Sequence, residues 1–305
     1  MTQDLKILPE GIKLDPLLGV LRKLSWGAAD ILIAYAKGSQ PPFGFSPVLK
    51  VDEGCEGPVS AADLAVNKWL IDGLHANFPE APWEVISEET VQKDLIGGAP
   101  LESEWLWVLD PLDGTKDFLQ GTGEYAVHLA LLYRNSPILG IVLIPEKEEL
   151  WIGVVGLSAW CEKRDGTKIS VSFSKRSSIS NYILVTSKNH IDSLLEKVID
   201  RIPISGFSSV GSVGCKIATI LRGEADFYIS LSGTTSPKDW DMAAPHAVLK
   251  AAGGLFNHAD GLSIKYNKGN LLQSGCLIAS NGTNHSSICE MVRAQVQLIE
   301  PDYCI

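Results

Sequence analysis

The chain has 305 residues, 45% of them hydrophobic, and carries 26 Lys plus Arg against 36 Asp plus Glu, a formal net charge of −10. That length suits two small domains or one large layered one, and the acidic balance argues against a nucleic-acid polymer or an anionic membrane as partner. A small anionic substrate remains open, because local cations can override the global field. The longest apolar runs break within about 10 residues, short of the roughly 20 that a membrane span needs. The opening MTQDLKILPE lacks a basic region followed by an apolar one, so no secretory signal is expected. The six cysteines show no C-x-x-C pair and no metal spacing. They read as reduced thiols of a cytoplasmic protein, with Cys55 and Cys304 in segments expected to be exposed.

Leu17, Leu18, Leu21, Leu24, Ala28, Ile31, Leu32 and Tyr35 recur at helical spacing and predict a helix over 15–36, ended by Gly38 and the Pro41–Pro42 pair. Residues 38–58, rich in Gly and Pro, predict a loop and a mobile lid. Ser60 opens a second helix with Asp63 three residues on, the place of a capping-box acid. Trp83–Ser87 predicts a short strand opening onto Glu88 and Glu89, where it could simply reach solvent. Segments 124–134 and 138–144 predict a hairpin about Arg134–Pro137, and a strand pair is expected near 150–155 and 158–172, turning at Arg164-Asp165-Gly166. The first half thus reads as helices on an antiparallel sheet. From residue 181 strands and helices alternate: strand 181–187, helix 190–201, strand 204–210, helix 212–222, strand 226–230. Asp241 is expected to cap a helix that runs to Ala252, with Pro245 in its first turn and Gly253 as terminator. The boundary falls near residue 156, giving units 1–156 and 157–305 with no flexible linker.

The chemistry concentrates in WVLDPLDGTKDF, residues 107–118. An apolar run, Leu106 to Leu109, predicts a buried strand that ends in Asp110. Pro111 pushes Asp110 toward an extended backbone, Gly114 permits close approach, and Thr115 can cap a following helix. Two carboxylates held this close, Asp110 and Asp113, repel unless a cation lies between them. Hard oxygen ligands without His or Cys favour Mg²⁺ over zinc. Backbone N–H groups at Gly114 and Thr115 would draw a phosphate to the same spot, which points to phosphoryl chemistry. Taken alone, the same residues also compose an ordinary polar turn.

DPLDGT resembles the D-P-[IL]-D-G-T signature of the inositol monophosphatase superfamily, the lithium-sensitive, Mg²⁺-dependent phosphomonoesterases. Three further motifs agree in order. Pro58-Val59-Ser60 with Ala62-Asp63 is similar to P-V-[ST]-x-A-D, Ser87-Glu88-Glu89 to the [GS]-E-E metal segment, and Trp240-Asp241 with the later Ala252-Gly253-Gly254 to W-D-x-A-A followed by A-G-G. The resemblance implies an α/β, layered αβαβα sandwich, α+β in the first half and α/β in the second, with the site between them. It implies two or three Mg²⁺ on Glu88, Asp110, the Leu112 carbonyl, Asp113 and Asp241. Asp63 and Thr115 would orient and deprotonate the attacking water, with Glu88 counted among the catalytic groups. Gly114, Thr115, Ser212, Lys216, Lys238 and Asp241 would face a small phosphorylated substrate.

Lys216 stands where 3′(2′),5′-bisphosphate nucleotidases carry a Lys and inositol monophosphatases a small residue, although a lone helix lysine is usually solvated. The resemblance therefore implies release of the 3′-phosphate of 3′-phosphoadenosine 5′-phosphate, giving AMP. An inositol or sugar phosphatase is the alternative, and a catalytically silent binding member is the alternative of a different class. VDEGCEGPVSAAD and SGTTSPKDWD are longer than the pattern, and both flank the substrate. A monomer or homodimer is expected.

Overall fold

The computed structural model describes residues 7–54, 57–91, 99–189, 193–232 and 236–305. Apolar residues at helical spacing form α1 (Leu14–Ala36), with Leu17, Leu21, Ala28, Ile31 and Leu32 fully buried. It packs against α2 (Ala61–Asn77). The close approach depends on a missing side chain: a Cβ on Gly27 would strike the Trp69 ring, whose indole N–H donates to the Leu24 carbonyl at 2.9 Å.

Below these helices lies a seven-stranded sheet in sequence order, β3 (Trp83–Ser87), β4 (Trp105–Asp113), β5 (Ala126–Tyr133), β6 (Ser136–Ile144), β7 (Glu149–Val154), β8 (Ser158–Glu162) and β9 (Lys168–Ser170). The β5–β6 hairpin turns on Arg134 and Asn135, both at positive φ, the turn geometry that follows strand twist. A second sheet takes β10 (Ile183–Ser187), β11 (Gly206–Val210), β12 (Phe227–Leu231), β13 (Leu255–His258) and β14 (Cys276–Ser280) in the order β11-β10-β12-β14-β13. Between the sheets run α5 (Val213–Leu221) and α6 (Asp239–Ala251), and the outer face of the second sheet is covered by α4 (Ser193–Ile199) and α7 (His285–Ile299). One apolar core lies under α1 and α2, one surrounds the α5–α6 layer on both faces, and one lies under α4 and α7, so the expected αβαβα sandwich is the fold.

Several local expectations change. Residues 38–58 are not all loop: β1 (Val51–Gly54) and β2 (Gly57–Ser60) form an antiparallel ribbon that satisfies their backbone groups before α2 begins. Cys55 lies outside the described residues, as does the start of the helix expected at 190, whereas Cys304 is exposed as expected. β3 and β4 are parallel, a pairing that the antiparallel expectation missed. The span 158–172 breaks into β8 and β9 at a Lys163–Thr167 turn. Both strands extend the first sheet, which therefore ends at Ser170 and not at 156. The elements β13, β14 and α7 had no sequence prediction.

Strand β4 does not stop at Leu109. It runs on to Asp113 with a register break between Asp110 and Asp113, and α3 (Thr115–Gln120) starts from Gly114, the N-cap, at φ 96°. Only glycine takes that conformation without strain, which leaves Thr115 as the first helical residue and not the cap. In α6 the N-cap is Lys238, Asp241 is the third helical residue, and Pro245 sits inside the helix beyond its first turn.

α6 lies on β6 and β7 because both strands carry bare glycines. A Cβ on Gly140 would fall 2.5 Å from the Ala244 carbonyl oxygen, which is backbone and cannot move aside cheaply. Overpacking of this kind costs about 1–3 kcal/mol. Gly140→Ala is expected to destabilise the fold by that amount in chemical denaturation, and an unchanged midpoint would refute the tight seating of α6.

Candidate active site

Four elements converge at the C-terminal end of β4. The bulge carries Asp110 and Asp113, α6 brings Asp241, β3 ends in a 3₁₀ turn bearing Glu88, and α2 brings Asp63. Asp110, Asp113 and Asp241 each offer a carboxylate oxygen, and these oxygens lie within 4.8 Å of one another; this is the cluster of its kind among the described residues. Asp110 is buried, and its Oδ1 accepts the Leu112 N–H at 2.9 Å. Asp241 Oδ2 accepts the Lys238 N–H at 2.5 Å.

Asp113 is held differently. Its Oδ2 accepts the Ser212 hydroxyl at 2.6 Å, the Val213 N–H at 2.5 Å and the Gly214 N–H at 3.3 Å, so the first turn of α5 closes on one carboxylate oxygen. Those are orphan donors of a helix N-terminus, and a carboxylate is their natural partner. Ser212 itself sits at φ 48°, a backbone position that side chains rarely adopt.

The electrostatic consequence is strong. Burial first, then repulsion from Glu88, Asp113 and Asp241, holds the Asp110 carboxyl well above its ordinary range. Glu88 is raised in the same way, by burial and then by Asp241, Glu89, Asp63 and Asp113. Asp241 rises to about 7 through burial and Asp113, despite hydrogen bonds from the Lys238 backbone and with Asp110 that pull it back. Glu89 also rises to about 7, by burial and by Asp63. Like charges at this spacing demand protons or a cation. The all-oxygen donor set fits Mg²⁺ and lacks the nitrogen or sulfur that zinc prefers.

Beside the acids lies a second unit. Asp63 Oδ2 accepts the Ser60 N–H at 2.8 Å and the Ser60 hydroxyl, while Oδ1 accepts the Thr115 hydroxyl at 3.0 Å. The Leu112 carbonyl also accepts from Thr115, at 3.2 Å. Asp63 is therefore both the capping-box acid of α2 and the partner of Thr115, and the two readings of the sequence are one arrangement. Burial raises its pKa against the lowering effect of those hydrogen bonds.

Of the remaining expected residues, Gly114 and Thr115 border the same bulge, and Lys238 precedes Asp241, its Nζ donating to the Ser236 carbonyl at 3.3 Å. Lys216 departs from its reading as a solvated helix lysine. It is 3% exposed, its Nζ donates to the Ser212 carbonyl at 2.9 Å, and it lies 5.5 Å from the centroid of the Tyr228 ring. His128, which the sequence reading passed over, is fully buried between these groups, with Nε2 3.4 Å from Asp113 Oδ2. A histidine inside the otherwise apolar run AVHLALLY was the available signal.

The model of the inositol monophosphatase family matches residues 13–297. The chain belongs to that family. It is 31% identical to the 3′(2′),5′-bisphosphate nucleotidase CysQ of Shigella flexneri, over 80% of this chain and 91% of that protein. It is equally 31% identical, with the same coverage, to the protein of that name from Escherichia coli K12. Among solved structures, the fold matches the Thermotoga maritima IMPase TM1415 with a TM-score of 0.74 at 22% identity, covering 94% of this chain and all of that one. It also matches an IMPase/NADP phosphatase complexed with Mg²⁺ and phosphate, with a TM-score of 0.71 at 18% identity, covering 91% and 95%. No helix among the described residues is long and apolar enough to cross a membrane.

The raised carboxyls in this family member give a pH test. Between the ordinary carboxyl pKa near 4 and about 7, the metal-free folded chain keeps protons that the unfolded chain has released. Stability conferred by those protons is therefore lost as pH rises through that window. Mg²⁺ binds the deprotonated acids, so its stabilising effect grows over the same window. The Mg²⁺-induced gain in melting temperature should be larger at about pH 8 than at about pH 5, and a gain independent of pH would contradict the assignment.

Proposed function

We propose that this protein hydrolyses the 3′-phosphate of 3′-phosphoadenosine 5′-phosphate, with Asp110, Asp113, Asp241, Glu88 and the Leu112 carbonyl as ligands of two or three Mg²⁺. The observation that carries the reaction class is the group of three carboxylates with oxygens within 4.8 Å, set beside the Asp63–Thr115 hydrogen bond. Mg²⁺ held there supplies charge neutralisation for the phosphate, a lowered pKa for water and stabilisation of the leaving alkoxide.

The chain's own groups do the positioning. The Thr115 hydroxyl gives its proton to Asp63 Oδ1, which leaves its lone pairs free to accept a proton from the attacking water and aim it. Asp63 lies one hydrogen bond behind, as the base that receives a proton through Thr115. Its buried carboxyl, raised above the usual range, is the stronger base for it. The N–H groups at the start of α3 face the phosphate side.

The adenosine bisphosphate is supported by the likeness to the CysQ nucleotidases, which extends over 91% of their length. Phosphate release compared across 3′-phosphoadenosine 5′-phosphate, inositol 1-phosphate and fructose 1,6-bisphosphate should give the highest kcat/KM for the first. A higher value for inositol 1-phosphate would replace the substrate while leaving the chemistry. EDTA should abolish all three activities, and Asp113→Asn should lower kcat by about 2–4 orders of magnitude with the fold intact; full activity in either case would end the metal assignment.

Lys216 gives a sharper test. Its ammonium serves the Ser212 carbonyl and, through Ser212, the hydroxyl that orients Asp113. Lys216→Met should therefore slow nucleotide bisphosphate and simple monophosphate hydrolysis by similar factors, about 10-fold for one charge-assisted bond. A loss confined to the bisphosphate would instead mean that Lys216 contacts the second phosphate.

A further inference from the structure

We propose that His128 is a positioning residue of the metal centre, a rigid spacer that sets how far Asp113 stands from the first turn of α6. This rests on the metal-ligand reading above. The imidazole is fully buried on β5 and is placed by the strand register, His128 lying directly across the ladder from Asp110. Its Nδ1 is 3.4 Å from the Trp240 carbonyl oxygen, one residue before Asp241, and its Nε2 is 3.4 Å from Asp113 Oδ2. One ring thus touches the neighbourhoods of all three clustered carboxylates.

Both atoms that it meets are acceptors. Burial lowers the pKa of the imidazole, and a neutral ring carries a single N–H, so it can donate to only one of the two at a time. Asp113 Oδ2 already accepts from Ser212, Val213 and Gly214, so what the ring contributes there is its shape. Both separations are a few tenths of an ångström longer than a typical N–H···O bond, so the ring acts as a wedge between the two oxygens.

The surrounding sequence makes room for this ring specifically. Gly214, in α5, is the residue whose added Cβ would collide with His128 Nε2, and its own N–H donates to Asp113 Oδ2 at 3.3 Å. Val142 and Ala126 bound the same space. A bare α-carbon at 214 lets the helix and the imidazole meet on one carboxylate oxygen. Groups behind ligating carboxylates govern metal affinity, and losing one typically changes it 10- to 100-fold.

The test is Mn²⁺ titration of the full chain, with the free ion read by electron paramagnetic resonance. His128→Phe keeps a planar, somewhat larger ring and removes both nitrogens, and should weaken Mn²⁺ binding by about 10- to 100-fold. His128→Gln keeps a donor amide and should recover part of that loss. Gly214→Ala leaves the histidine in place but pushes it off Asp113, and should weaken Mn²⁺ binding in the same direction. If the Phe variant does not fold, the Gln and Ala variants carry the comparison. A merely structural role would lower the melting temperature and leave the Mn²⁺ affinity of the folded variants within about 3-fold of wild type, which would overturn the proposal. Wild-type protein that bound no Mn²⁺ would overturn the metal-centre reading and this inference together.

Discussion

Everything in the active site follows from forcing acids together inside a protein. Asp110, Asp113 and Asp241, with Glu88 at the rim, occupy a space in which burial and the neighbouring charges raise the proton affinity of Asp110, Asp241 and Glu88. In water such a cluster would disperse. Here two structural layers hold it: β4 and the end of β3 from the first sheet, and α6 from the middle layer. The fold is organised to bear that repulsion until a cation relieves it.

The means of bearing it are local and inexpensive. A helix N-terminus closes on one oxygen of Asp113, so the positive end of α5 faces the cluster. Lys216 packs behind the same turn, its Nζ donating to the Ser212 carbonyl, and burial lowers its pKa. The bulge in β4 leaves Asp110 and Asp113 on one rim even though the strand continues through both. Glycines at 140 and 153 let α6 sink onto the sheet, which brings Asp241 within range. The spacing of the three carboxylates depends on each of these devices.

The layered fold and the clustered acids were legible because they live in short local patterns: a helical apolar stripe, a strand running into Asp-Pro-x-Asp-Gly, an acid three residues after a cap. What stayed hidden depends on chain segments remote in sequence. The inward turn of Lys216 is decided by Tyr228 and the Ser212 carbonyl, so helical periodicity alone could not separate it from a solvated lysine. His128 reads as one polar letter in an apolar strand until Asp113 and Trp240 are brought around it. The β1–β2 ribbon escaped because Gly and Pro there signal turns, while the pairing that makes strands of the flanks is an interstrand property. β13 and β14, short and paired with each other across the edge of the second sheet, carry no periodicity of their own.

Asp63 and Asp241 share a feature that separates them from the other acids. Each is the third residue of a helix and accepts the backbone N–H of its own N-cap, Ser60 in one case and Lys238 in the other. At these two positions the acids of the candidate site are also the acids on which helices begin. A lineage that abandoned catalysis would lose Asp110 or Glu88 at less structural cost, since removing one of several repelling carboxylates relieves the rest. It would keep Asp63, Asp113 and Asp241 long afterwards, because helices begin on them. Retention of those acids without their neighbours would be the fossil of an enzyme, and a descendant could look catalytic at half its signature while turning over nothing.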